Sequence, residues 1–494
     1  MKHYDIVVIG SGAGMMVSQA ARQSGVKCAL IEEQKLGGTC LNRGCIPSKI
    51  LVHPADLVRD AQQAERSGVS LKVEQVSWPK VSKRMWNRIN ISSQLEQSIR
   101  DNPDVDLYKS HAAFIDPHTL ELTDENNQSV QVKADRILIA AGGRTFIPPV
   151  SGLEEAGFIT SETFFGDAFP EKPWKDLIIM GGGAVGCEFA HIMSAMGTQV
   201  TLVEMASRLV GTEEPEISQM LEQQMSRFGV RVLTGQTAIQ AESSNEMKKL
   251  IVKNKQGETQ TITAEEILVA TGIRSNADGL KLENAGVKTD EKGWIISNEF
   301  LETSVPHIFA LGDINGKFQF RHKANYEADV LIHNLFSGSE NKRQAQYTTV
   351  PWAVFTWPQI AHVGMTEAQA LETGKRIKVG KNYYSMTAGG YALGYEPGDP
   401  DDGFVKLIAD ESSKILGVHI VGPHASILIQ SFVYLMNAGF TCQSNKEHLP
   451  IPGQSGARLC LEADSIEAID QSMVIHPALS EVAAWVTGEL EWVN

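Results

Sequence analysis

The apolar positions of the chain fall into short strand-like runs that end in glycine-rich turns and alternate with stretches of helical period. The first run, Tyr4-Asp5-Ile6-Val7-Val8-Ile9, meets Gly10-Ser11-Gly12-Ala13-Gly14, a helix then continues to about Ser24, and a second strand, Lys27 to Ile31, ends on Glu32. The same order recurs: Leu177 to Met180, then Gly181-Gly182-Gly183-Ala184-Val185-Gly186, a helix to Met196, and Gln199 to Val203 ending on Glu204. Two further runs, Arg136 to Gly143 and Glu266 to Gly272, read as the return strands of these units. Between Gly143 and Gly181, Pro148, Pro149, Pro170 and Pro173 mark a crossover. Ser77 to Arg100 is amphipathic and predicts one long helix, with Ser77 and Pro79 at its start. After about residue 347 the pattern changes to the strands Val350 to Phe355, Phe404 to Ala409 and Ile415 to Val421, followed by an apolar helix from about Ser426 to Ala438.

The repeat has a chemical reading. Glycines between a strand and a helix let the backbone approach a pyrophosphate, whose charge the helix N-terminus holds, and an acid about 20 residues on accepts hydrogen bonds from a ribose. Gly10, Gly12, Gly14 and Glu32 fill these roles in the first copy, and Gly181, Gly183, Gly186 and Glu204 in the second, so each copy predicts one bound adenine dinucleotide. Met15 stands where a third glycine is usual, which leaves Gly14 to provide the close packing. Glu204 would bond a ribose 2′-hydroxyl and repel a 2′-phosphate, favouring NAD over NADP, with Arg208 the one nearby cation that opposes this reading.

Composition narrows the class. At 494 residues the chain predicts about three domains. With 42% hydrophobic and 21% charged residues it belongs with globular proteins. Its 44 basic against 59 acidic side chains give a net charge of −15, which argues against nucleic acid or anionic membranes as partners. No apolar run approaches the ~20 residues of a membrane span, and Met1-Lys2-His3 leads straight into a strand without a cleavable leader, so a cytoplasmic protein is expected. Six cysteines are too few for a disulfide scaffold, and two of them, Cys40 and Cys45, lie five positions apart beside glycines, which points to redox chemistry. No metal ligand set is read from the sequence.

The sharpest motif is Gly37-Gly38-Thr39-Cys40-Leu41-Asn42-Arg43-Gly44-Cys45-Ile46-Pro47-Ser48-Lys49. Two thiols at a helix start can close a small disulfide loop, and the helix dipole lowers the pKa of a thiolate there. Together with the two glycine repeats, Phe309-Ala310-Leu311-Gly312-Asp313 and His476-Pro477-Ala478-Leu479-Ser480-Glu481, this motif resembles that of the class I pyridine nucleotide-disulfide oxidoreductases, a family that includes dihydrolipoamide dehydrogenase, glutathione reductase, mycothione reductase and mercuric reductase. The resemblance spans the chain. It implies an α/β protein with two Rossmann-like dinucleotide-binding domains plus a C-terminal α+β dimerisation domain: FAD-binding over 1–150 and 275–347, NAD-binding over 151–274, and the interface domain over 348–494.

Site roles follow by position. Cys40 resembles the interchange thiol that meets substrate, and Cys45 the thiol that stacks on the flavin and forms the charge-transfer complex. Lys49 and Glu188 match a buried pair beside the reactive flavin nitrogen. Glu32 and Asp313, with Gly38, Thr39, Gly142 and Gly312, are implied in holding FAD, and Gly272 joins the NAD set. His476, oriented by Glu481, is implied as the general acid and base, donated by the partner subunit of a homodimer with composite active sites.

The resemblance leaves the substrate open. It favours dihydrolipoyl oxidation by NAD⁺ with lipoyl domains of 2-oxoacid dehydrogenase or glycine-cleavage systems as partners. The alternative is reduction of a low-molecular-weight disulfide, since Arg321 to Ala328, Val421 to Ser426 and Ile475 to Leu479 look closer to mycothione reductase. Mercuric reduction is disfavoured, because no vicinal cysteine pair follows Glu481. A stretch from about Cys442 to Asp464, holding Cys442 and Cys460, is longer than the family pattern by roughly twenty residues and reads first as a surface elaboration, with an effect on substrate access or partner docking as the alternative. Cys28 and Cys187 read as small core residues.

Overall fold

The computed structural model describes residues 1–101, 104–245, 247–411, 414–437 and 472–476. In its first unit the strand Lys2–Ile9, buried from Ile6 onward, lies parallel to Cys28–Ile31 on one side and to Ser129–Ile139 on the other. The helix Gly14–Gln23 crosses between the first two strands. Ile308–Ala310 returns after the second unit and pairs parallel with Ser129–Ile139, so residues distant in sequence complete the first sheet. Its two faces are covered by separate apolar clusters, one around Val7, Ile31 and Ile137, the other around Ile6, Val8 and Leu138. Strands buried on both faces are continuous apolar runs for this reason.

The second unit repeats the plan. Its parallel sheet runs in the order Arg231–Leu233, Gln199–Val203, Asp176–Met180, Glu266–Val269, and Ala184–Ala195 is its crossover helix. An antiparallel three-stranded sheet, Gln236–Ser244, Met247–Asn254 and Thr259–Ala264, is inserted before the return strand.

The C-terminal unit is a five-stranded antiparallel sheet ordered Trp352–Val354, Gln359–Gly364, Ile415–Gly422, Phe404–Asp410, Ile377–Tyr383, with the helix Ala425–Asn437 packed on it. Two of these strands are absent from the sequence reading. Ile377–Tyr383 is an edge strand exposed along most of its length, and Gln359–Gly364 is interrupted by polar His362, so neither carries an apolar strand signal. The long helix expected over 77–100 is two helices, Trp78–Ile89 and Ile91–Arg100, with Asn90 at the joint. Asn is a weak helix former whose side chain competes for backbone groups, which accounts for a break there. Among the described residues, no helix is long and apolar enough to cross a membrane.

Candidate active site

The redox pair sits where two short elements meet. Cys40 lies in the helix Gly38–Asn42 and Cys45 is the first residue of the helix Cys45–Gln63. Gly38 is needed between them and the first sheet: its φ is +64°, and a Cβ there would lie 2.9 Å from the Cα of Gly12. Both cysteines are free thiols. They titrate as a pair. A hydrogen bond from Cys40 holds the Cys45 thiol down to about 6, with the Lys49 ammonium and His476 adding to the effect. The Cys40 thiol is pushed well above its ordinary value by the same hydrogen bond and by burial, while Arg321 and Lys49 act against the rise. The first proton therefore leaves Cys45, at the positive end of a helix.

Behind the pair, Lys49 Nζ is 2.6 Å from Glu188 Oε2 and 4.4 Å from the centre of the Phe355 ring. Glu188 Oε1 accepts the backbone N–H of Phe355 at 3.0 Å, so both carboxylate oxygens are engaged. In front of it, His476 Nε2 lies 3.1 Å from Cys40 Sγ. Within the chain, His476 reaches the site from the C-terminal segment. The physical reason is its anchorage. Ile475 N–H donates to Gln430 Oε1 at 3.3 Å, Gln430 Nε2 donates to the carbonyl of Met473 at 3.4 Å, and the Met473 side chain is buried in the core of the first unit. Glu481, Cys442, Cys460 and the stretch from Cys442 to Asp464 lie outside the described residues.

The two glycine turns have the shape of nucleotide cradles. Gly10 at φ +100° and Gly181 at φ +108° would each drive a Cβ to 2.3 Å from a carbonyl of the neighbouring return strand. Gly14 takes over the close helix-to-strand contact that Met15 cannot make, since a Cβ on it would lie 2.8 Å from Val8. By contrast Gly12 faces only Arg321 Nη1 at 3.9 Å, and Gly142, Gly183 and Gly272 face nothing within 4 Å. Open backbone of this kind fits a pyrophosphate at each turn. Glu32 Oε2 accepts the N–H of Ser11 at 3.0 Å and Oε1 accepts the N–H of Gln34 at 2.8 Å, which aims the carboxylate across the first turn. Glu204 repeats this geometry, accepting from the N–H groups of Gly182 and Ala206. Arg208, the opposing cation, donates instead to the carbonyl of Gly211 at 2.7 Å. Asp313, in the turn Gly312–Asn315, is pushed up to about 6 by burial. Thr39 lies in the helix with Cys40, and Gly186 is required because a Cβ there would sit 1.8 Å from the Gly181 carbonyl. Cys28 and Cys187 are buried, at 1% and 0% exposure, away from the redox pair in role.

One network escaped the sequence reading. Lys323 and Glu327 are wholly buried, 3.1 Å apart. Lys323 Nζ donates to the Gly312 carbonyl at 2.9 Å and to Asn315 Oδ1 at 2.7 Å, while Glu327 accepts from the Gly312 N–H, Asn315 Nδ2 and Tyr347 Oη. The pair thus fixes the turn that presents Asp313. Its i, i+4 spacing on a helix was the available signal, but spacing alone looks like a surface pair. Lys323→Met leaves Glu327 buried without its cation and is expected to cost about 3–5 kcal/mol. Urea unfolding of the cofactor-loaded protein measures this, and an unchanged midpoint would remove the network from the account.

A dithiol at a helix start, a buried ammonium–carboxylate pair behind it and two dinucleotide cradles define a flavin-linked disulfide oxidoreductase. The chain belongs to the pyridine nucleotide-disulphide oxidoreductase family, whose profile matches residues 4–328, and the dimerisation domain of that family matches residues 350–452. It is 36% identical over 451 residues to mycothione reductase from Mycobacterium tuberculosis, covering 89% of this chain and 94% of that one. It is 33% identical over 437 residues to dihydrolipoyl dehydrogenase from Bacillus subtilis, covering 86% and 90%. Among solved structures, the HOCl-induced flavoprotein disulfide reductase RclA from Escherichia coli superposes with a TM-score of 0.75 at 25% identity, covering 88% of this chain and 93% of that chain. The two dinucleotide-binding regions are those that take FAD and NAD(P) in this family, and the dimerisation domain supports a homodimer.

Proposed function

We propose that this protein is an NADH-dependent reductase of a low-molecular-weight disulfide, working through Cys40 and Cys45. The observation that carries the reading is the 3.1 Å contact of His476 with Cys40, a thiol only 8% exposed. A target thiol this enclosed suits a small substrate better than a lipoyl arm carried on a domain. The 36% identity to a mycothione reductase, against 33% to a dihydrolipoyl dehydrogenase, supports the same choice. The net reaction is NADH + H⁺ + RSSR → NAD⁺ + 2 RSH.

FAD held by the first cradle, with Gly10, Gly12, Glu32, Gly142 and Asp313, would supply the two-electron link between nicotinamide and the protein disulfide. NADH would lie on the second cradle against Gly181, Gly183, Gly272 and Glu204. Lys49, held in place by Glu188, sets its ammonium beside Cys45. Once the pair is reduced, His476 takes the Cys40 proton, which the raised pKa of that thiol requires. Cys40 sulfur attacks one sulfur of RSSR, the S–S bond of the substrate breaks, and the departing thiolate takes the proton from His476. The Cys45 thiolate then attacks Cys40 sulfur, closes the protein disulfide and expels the second thiolate, which leaves as a thiol after taking a proton from solvent. Glu481 is proposed to orient His476.

The test is an anaerobic comparison of NADH and NADPH against a panel of small disulfides, with dihydrolipoamide plus NAD⁺ run in parallel. Faster turnover with a small disulfide and NADH is expected. Faster oxidation of dihydrolipoamide would restore the dihydrolipoyl dehydrogenase reading, which the Bacillus subtilis relative supports. Coenzyme choice has its own variant. Glu204→Ala removes the carboxylate that faces the second turn and is expected to narrow the NADH-over-NADPH ratio of kcat/KM by about tenfold or more, since each 1.4 kcal/mol of lost discrimination is tenfold. An unchanged ratio would place coenzyme selection elsewhere.

A further inference from the structure

A second cluster of buried, potentially ligating side chains lies away from the redox pair, where the second α/β unit meets the C-terminal sheet. Glu213 precedes the helix Pro215–Arg227. His362 and His419 face each other as direct partners on the neighbouring strands Gln359–Gly364 and Ile415–Gly422. Glu213 and His419 are wholly buried, and the His362 side chain is 9% exposed.

Hydrogen bonding fixes both rings. His419 Nε2 is 3.0 Å from the carbonyl of Met365, and His362 Nε2 is 2.9 Å from the carbonyl of Gly364. A carbonyl only accepts, so each Nε2 carries a proton, and each Nδ1 is turned into the site. Both Nδ1 atoms face the same carboxylate. His419 Nδ1 lies 2.7 Å from Glu213 Oε2, and His362 Nδ1 lies 3.4 Å from Glu213 Oε1. The last two atoms are buried and have no hydrogen-bond partner among the described residues. Glu214 Oε1 stands 3.6 Å from His419 Nε2, on the other side of that ring.

Acceptors facing acceptors in a dry site need something positive between them. One proton bridges only one of the two contacts and leaves the other opposed. Two protons put two imidazolium rings, with centroids 4.5 Å apart, against one carboxylate. A divalent cation satisfies all three groups together. The ligand atoms lie within 4.8 Å of one another, and two nitrogen or oxygen ligands at 2.0–2.2 Å from a tetrahedral zinc are about 3.3 Å apart. Backbone carbonyls on the far nitrogens are the usual partners of metal-bound histidines, fixing tautomer and orientation.

We propose that Glu213, His362 and His419 form a structural site for a divalent transition-metal ion of the zinc class, which ties the second dinucleotide unit to the C-terminal sheet. The sequence reading found no metal site because the ligands are spread over 213, 362 and 419 with no short spacing. Only the fold assembles them.

Zinc alone is the probe. The FAD-loaded, full-length protein is kept oxidised, so that Cys40 and Cys45 are closed as a disulfide, then incubated with Zn²⁺, desalted and assayed for metal. Roughly one zinc per chain is expected, lost in Glu213→Gln and in His362→Ser. X-ray absorption at the zinc edge of the unmodified protein should show nitrogen and oxygen neighbours at about 2.0–2.2 Å and no sulfur near about 2.3 Å. That measurement decides the matter if a variant does not fold. No retained zinc, sulfur in the first shell, or equal retention in folded variants would overturn the site.

Discussion

Cys45→Ser is expected to lower NADH-driven disulfide reduction by about a thousandfold or more, with the folded protein and its coenzyme binding retained. This sulfur does what a serine oxygen cannot. A thiol held to about 6 is largely thiolate at neutral pH, whereas a serine hydroxyl stays protonated and forms no disulfide. The interchange thiol then has no partner to close on, and a mixed disulfide formed at Cys40 accumulates. Mass spectrometry of the stalled variant should find the substrate's thiol attached to Cys40. Retained turnover would place the chemistry outside this pair. The pH dependence follows from the same geometry. Alkylation of the reduced wild-type protein should reveal one thiolate per chain that disappears as pH falls through about 6, because protonating Cys45 removes the charge that Cys40, Lys49 and His476 stabilise.

His476→Gln is the second large effect, an expected loss of about 10²- to 10⁴-fold, the usual worth of a general acid and base. Glutamine keeps a polar group beside Cys40 and removes the nitrogen that can take up and return a proton. Because Cys40 is the thiol with the raised pKa, much of the loss should be recovered at high pH, where it ionises unaided. A loss that does not vary with pH would reduce His476 to a packing role. The variant also reports which chain supplies the histidine. The 3.1 Å contact lies within one chain, so hybrid dimers of Cys40→Ser and His476→Gln subunits should contain no complete site and recover no activity. Activity returning to a substantial fraction of the wild-type level would mean that His476 crosses between subunits.

Sequence and structure agree where information is local. The two glycine turns and their closing acids lie within about 20 residues, and steric need at Gly10, Gly14, Gly181 and Gly186 makes each residue type recognisable in isolation. Cys40 and Cys45 are legible for the same reason. The Lys49–Glu188 pair spans two units and was reached only through resemblance, since nothing in either flank signals the partner. Edge strand Ile377–Tyr383 and the joint at Asn90 were missed because exposure erases the apolar pattern in one and a single polar residue breaks it in the other. The Lys323–Glu327 network and the Glu213, His362, His419 cluster depend on tertiary burial, which turns ordinary charged residues into constrained ones. The approach of His476 to Cys40 rests on the packing of Met473 and Ile475, which no local sequence pattern encodes.

In the proposed mechanism electrons from NADH reach the Cys40–Cys45 pair. The most direct measurement is anaerobic addition of NADH to the oxidised, FAD-loaded protein, followed by alkylation and peptide mass spectrometry. Cys40 and Cys45 should be unlabelled before NADH and both labelled after it, with buried Cys28 and Cys187 unchanged. Equal labelling before and after NADH would contradict the account.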